Sequence, residues 1–199
     1  GSALLVTGST LFDGSLDIGA GVSANLQTNT LDNMTLNGTA HTNNGVTNTY
    51  VNGFTINGTF NLNAGAAATT MKFNGTQTLM GPGEVVLTDS VNNHIDISTA
   101  DVLTIGTNMT VRGAGKLMRN TGDLVNNGTI LAQGTNRLEI DTRDNAGGLD
   151  QNGTLRAEGA GGLYIHNSDV HLDGGNSIDV NAGSALLVTG STLFDGSLD

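Results

Sequence analysis

The chain has 199 residues and a formal net charge of −11, with 30 Gly, one Pro and no Cys or Trp. Absence of Cys excludes disulfides and thiolate metal sites, and the scattered cations Lys72, Arg112, Lys116, Arg119, Arg137, Arg143 and Arg156 argue against nucleic acid as a partner, because they form no phosphate-neutralising patch. No apolar run approaches the ~20 residues of a membrane-spanning helix, yet hydrophobic residues make up 37%, enough for a core of Leu, Val, Ile and Ala.

Residues 1–17 read GSALLVTGSTLFDGSLD. Leu4 and Val6 open an apolar alternation at period two, the signature of a strand. Similar short runs follow along the whole chain, separated by Gly, Asn, Asp or Ser. Cutting before Thr10, Leu31, Phe54, Thr76, Asp101, Asp123, Ala146, Asp169 and Thr192 gives pieces of nearly equal length, each with two or three such runs. Asn-Gly occurs at Asn37, Asn44, Asn52, Asn57, Asn74, Asn127 and Asn152, and Thr follows at Asn37, Asn57, Asn74, Asn127 and Asn152. These are read as corners, where Gly and Asn supply positive φ, followed by a β-branched strand start. The five followed by Thr, with Asn33 and Asn108, also match the Asn-X-Ser/Thr acceptor pattern, a match that a corner explains without a sugar. The best helical stretch, Ala64–Ala68, is interrupted by Gly65 and is too short to form a helix.

Further along, His94 and Asp96 alternate with Ile95 and Ile97 and are expected on a polar strand face. Glu139, Asp141 and Asp144 lie beside Arg137 and Arg143, one piece before Arg156 and Glu158. Such a patch is what acid/base cleavage of a uronic polymer requires, and scattered surface charge is the competing reading. Tyr50 and Tyr164 are the aromatics available to grip a sugar. Gly159–Gly162 lacks the Lys and the following helix of a phosphate loop. In His166–Asp173, Asp169, His171 and Asp173 share one side of a strand, with Val170 and Leu172 on the other. They are the candidate ligands for a divalent cation, against the reading of a solvated strand face. Inward positions are assigned to Leu4, Val6, Leu103, Ile105, Val125, Ile130, Leu138, Ile140, Leu155, Leu163, Ile165, Val170, Leu172, Ile178 and Val180.

Residues 183–199 then repeat residues 1–17 without a difference. Even Ser9, Thr10, Asp13 and Ser15 return as Ser191, Thr192, Asp195 and Ser197, which shared fold alone would not preserve. The reading is a tandem array in which 1–182 is one unit and 183–199 the start of the next, identical one. The missing initiator Met and signal peptide fit a window of a longer chain. Inside the unit, ~23-residue pieces in a constant register predict an all-β parallel β-helix, or β-solenoid, of about eight turns stacked ~4.8 Å apart. Hairpins would explain Asn-Gly but not that register.

Leu124-Val125-Asn126-Asn127-Gly128-Thr129-Ile130 and Leu149-Asp150-Gln151-Asn152-Gly153-Thr154-Leu155, one piece apart, resemble the large bacterial surface β-strand-repeat proteins. These include filamentous-haemagglutinin-type exoproteins and autotransporter-type adhesins. The resemblance covers most of the chain in style and implies a right-handed, three-faced helix displayed outside the cell. It carries over no catalytic residues. The expected function is a segment of a giant extracellular stalk, fibre, sheath or adhesin shaft, without enzymatic activity or cofactor. Its expected partner is itself, by end-to-end stacking of repeats, with lateral bundling as an addition and no membrane insertion of this segment. The alternative is a carbohydrate-binding or polysaccharide-degrading β-helix.

Overall fold

The computed structural model describes residues 3–143 and 147–198. Alternating apolar residues give each strand one face to bury, and single strands bury it only by stacking. The described strands form one continuous parallel coil with three faces. The first face stacks Ala3–Thr7, Ser23–Gln27, Thr39–Asn43, Thr59–Asn63 and the start of Glu84–Ile97. It continues through the start of Thr110–Leu117, then Thr129–Ala132, Thr154–Ala157, Ser177–Val180 and Ser197–Leu198. The second face holds residues 10–12, 30–32 and 47–51, Thr69–Asn74 and residues 93–97. It goes on through 115–117, Leu138–Ile140, Leu163–His166 and Leu186–Thr189. The third face holds 14–17, 34–36, 54–56, Gln77–Met80, Val102–Ile105, Asp123–Asn126, Leu149–Gln151, Val170–His171 and Leu193–Phe194. The β-solenoid fold read from the sequence is therefore present, with about 8 turns about 23 residues apart. Individual turns differ in length: a short one carries the chain from Ala24 to the stacked Ala40, a long one from Val85 to Val111.

The core is three apolar columns, one behind each face. Leu103, Leu124, Leu149, Val170 and Leu193 stack on the third face, and Leu117, Ile140, Ile165 and Val188 on the second. Burying each of these side chains is worth about 1.5–3 kcal/mol, and no single turn buries them alone. Tyr50, Phe54, Phe60 and Phe73 cluster in the core, Tyr50 with ring centroids 4.7 Å from Phe54 and 5.2 Å from Phe73. The corner entering the first face explains four of the five Asn-Gly-Thr runs, whereas Asn74-Gly75-Thr76 enters the third face. A Cβ on Gly58 would sit 2.0 Å from the Gly38 carbonyl oxygen, and one on Gly153 2.0 Å from that of Gly128. Only glycine lets backbones stack this closely. The Asn residues of these corners link outside, Asn57 donating to Asn37 at 2.8 Å and Asn152 to Asn127 at 3.1 Å.

The inward assignments hold except at Val125, and three of them, Leu4, Val6 and Val180, are inward but incompletely covered. Val125 faces outward between Thr104 and Asp150, because Leu124 takes the column position between Leu103 and Leu149. Two adjacent apolar residues leave the parity of a strand open, and the stacked neighbours settle it. Leu4 is 37% exposed, lying in the first described turn with stacking on one side. Val6 and Val180 are partly buried against the core. Residues 65–67 form a bend, and the described residues hold no α-helix, only a single 3₁₀ turn at Asp173–Gly175.

Candidate functional site

The largest departure from regular stacking lies at the corner between the first and second faces. Residues 88–92 bulge out of Glu84–Ile97, with register shifts between Leu87 and Asp89 and between Asp89 and His94. In the next turn the chain crosses this corner with no excursion, through Gly113 and Gly115 at φ 121° and 153°. A Cβ on Gly113 would lie 1.8 Å from the Leu87 carbonyl oxygen, so the tight crossing requires glycine. One turn further on, residues 133–137 bulge again. Asp89 reaches over the tight turn to this second loop, accepting from Thr135 N at 3.1 Å and Asn136 N at 2.8 Å. The Thr135 hydroxyl also donates to it, and these bonds, hydroxyl first, hold its carboxyl down at about 2.

Beneath this bridge lies an open groove of about 410 Å³ lined by Val91, Lys116, Thr135, Asn136, Arg137 and Glu139 among others. Lys116, Glu139, Tyr164 and Leu187 form one outward row of stacked residues. Glu139 is held by two cations, Arg137 at 2.9 Å and Lys116 at 3.4 Å. The Arg137 guanidinium also lies 4.5 Å from the centre of the Tyr164 ring, a cation–π contact. Tyr164 is stacked along the strand on His166 at 5.4 Å, and its hydroxyl hydrogen-bonds Thr189 at 2.9 Å. His166 Nδ1 lies 3.7 Å from Asp141 Oδ1.

The fold thus gathers part of the acidic patch read from the sequence. Glu139, Asp141 and Arg137 meet Tyr164 and His166 on one face, whereas Asp144 lies outside the described residues. Arg143 turns to Asp123 at 2.8 Å, at another corner. Arg156 and Glu158 pair at 3.2 Å on the first face, where Arg156 also meets Asp179 at 3.3 Å. Gln133, then Arg156, hold the Glu158 carboxyl below its ordinary range. Glu139 and Glu158 are committed to ion pairs, and the aromatics are committed too. Tyr50 is fully buried in the core and offers nothing to a sugar, because its strand turns that position inward against Leu31 and Phe73.

The candidate cation ligands fare differently. Val170 and Leu172 are buried, but the strand is only Val170–His171, so Asp169 precedes it and the exposed Asp173 opens the following 3₁₀ turn, and the three do not share one strand side. His171 stacks flat on Phe194 at 4.7 Å. Among the described residues, the grouping in which three His, Asp or Glu ligand atoms lie within 4.8 Å of one another is Glu139, Asp141 and His166. Lys116 and Arg137 already neutralise Glu139 there, so a cation would have to displace both. His94 and Asp96 are not on an open polar face. Both are buried, Asp96 in an ion pair with Arg119 across the turn. Burial, and after it the Arg119 charge, keep the His94 pKa below its ordinary value and the ring neutral near pH 7.

Sequence reasoning missed Asp89 and the buried Asn29–Asn48 pair. Asn48 accepts from Asn29 N at 2.8 Å and donates to Leu26 O at 3.0 Å and Thr42 Oγ1 at 2.8 Å. Asn93 does similar work inside the bulged corner, donating to Thr88 O at 2.7 Å. The signal was a polar residue sitting where the strand pattern breaks, which reads equally as an exposed turn. No protein-family model, curated protein or solved structure matches this chain.

Proposed function

We propose that the chain is a structural segment of an extracellular tandem-repeat β-solenoid, the shaft of a stalk, fibre, sheath or adhesin. One observation carries this reading: of the sequence shared by 1–17 and 183–199, residues 3–7 and 10–17 stack upward onto the second turn, and residues 186–189 and 193–194 stack downward onto the eighth. The same residues therefore have partners for both of their edges, as the joint between two successive units needs. The ion pairs support a mechanical role, since most of them link one turn to the next. In this reading the segment spans distance and resists force, and receptor binding is the task of other parts of the polypeptide.

The test is the denatured mass of the native polypeptide. A mass many times 20.2 kDa, rising in steps of the unit 1–182, is the expected result. A mass near 20.2 kDa removes the covalent array.

A further inference from the structure

The two copies of the shared segment have identical sequences but occupy different faces. In the first copy, Leu4 and Val6 point inward from the first face, Leu11 from the second and Leu16 from the third. In the second copy, their equivalents Leu186 and Val188 point inward from the second face and Leu193 from the third, while Ser197–Leu198 returns to the first. Inward and outward parity is kept: Leu5 and Phe12 face outward in one copy, Leu187 and Phe194 in the other. Every element of the segment has moved on by one face.

The cause is in the short early turns. Leu31 sits on the second face and Phe54 on the third, so the stretch between them covers a full turn and one face more. Elsewhere the same length of chain covers one turn, as from Val170 to Leu193. Counting pieces of equal length registers eight turns and overlooks the extra face.

We infer that successive units of the array are related by a three-fold screw: each unit advances eight turns and one face. This rests on the array reading above. With ~4.8 Å per turn, one unit rises about 40 Å and rotates by about 120°, and three units close the cycle in about 120 Å. The Lys116–Glu139–Tyr164 row and its groove then appear on all three sides of the shaft in turn. A patch that would mark one side of an integer-turn rod instead forms a spiral of identical contacts, open to a second shaft from any side. Unequal side-chain bulk, such as the Tyr50–Phe54–Phe60–Phe73 cluster, is likewise distributed around the axis, so bends it imposes cancel over three units.

Two experiments test the screw. In the 199-residue chain, the pair Thr35→Cys and Thr55→Cys, stacked neighbours on the third face, is expected to form a disulfide on mild oxidation, since adjacent rungs bring Cα atoms within the bonding range. Asp32→Cys with Thr55→Cys, which would be stacked neighbours if those 23 residues covered a single turn, is expected to stay reduced. Cross-linking of the second pair in place of the first overturns the assignment. In a chain of four tandem units carrying Asp150→Cys, an exposed position on the third face, gold-maleimide labels are located by cryo-electron microscopy. Labels stepping around the axis, with the first and fourth aligned about 120 Å apart, are the expected result. Labels in a single line overturn the screw and leave the array intact. Separate short rods instead of one shaft overturn the array reading itself.

Discussion

Tyr50 is the residue whose chemistry fits its surroundings least. Its ring is fully buried among Phe54, Phe60 and Phe73, and its hydroxyl has no hydrogen-bond partner. Burial also raises its pKa well above the ordinary tyrosine value. Tyr50→Phe removes an unsatisfied polar group without opening a cavity. It is expected to leave stability unchanged or raise it by up to about 1 kcal/mol in urea unfolding. Asn48 is the opposite case, satisfied on both sides and buried. Asn48→Ala orphans the Asn29 N–H and the Leu26 carbonyl and is expected to cost about 2 kcal/mol in the same measurement. Asp89 makes a pH-dependent contribution. Its carboxyl is depressed to about 2 in the folded state, so the stability it adds is present above the ordinary carboxylate range and lost as pH falls through about 2. Asp89→Asn is expected to melt lower than the parent at pH 6, with the difference closing as pH approaches 2. A difference that persists unchanged to pH 2 contradicts the charged clamp.

At the scale of elements, the corners decide which sequences can stack. The corner stack running through Gly38, Gly58 and Gly83 leaves no room for side chains, with Gly83 Cβ also blocked at 2.4 Å by the Gly58 carbonyl oxygen. Gly58→Ala is expected to destabilise by about 2 kcal/mol or more, because the obstruction is backbone and stiff. Gly19→Ala, at a corner with nothing within 4 Å of the added methyl, is expected to be near neutral and serves as the control. Equal effects of the two in thermal denaturation would remove the close-approach argument. The strands themselves are less demanding. Leu103, Leu124 and Leu149 are interchangeable aliphatics in one column, and their partly exposed ion-paired neighbours add at most about 1 kcal/mol per pair.

For the molecule as a whole, stability is a sum over neighbouring turns. Turns in the middle of the described stack bury both edges, whereas the first and last share only one. Leu4, inward yet 37% exposed, marks one end, and Leu198, 55% exposed above the buried Ile178, the other. Amide hydrogen exchange is expected to be slowest between Phe60 and Leu138 and fastest in the first and last turns. Appending a second unit should slow exchange in residues 186–198, since the copy then gains its second neighbour. Uniform exchange along the chain would show an all-or-none domain in place of a stack.

The sequence alone determined the strand period, the corner residues, the parallel coil and the two-copy overlap. Each is a local pattern or a direct repetition, and local patterns survive translation into structure because a strand must bury alternate residues. It also brought Glu139, Asp141 and Arg137 into one patch. Tertiary structure alone decided which of Leu124 and Val125 faces inward, that Tyr50 lies in the core and that Asp89 spans two turns. It also showed that identical residues at 4–16 and 186–198 sit on different faces. All of these depend on the lengths of intervening turns, which add up along the coil and shift the phase of everything after them. No single window of sequence records that running total, and only the stacked neighbours reveal it.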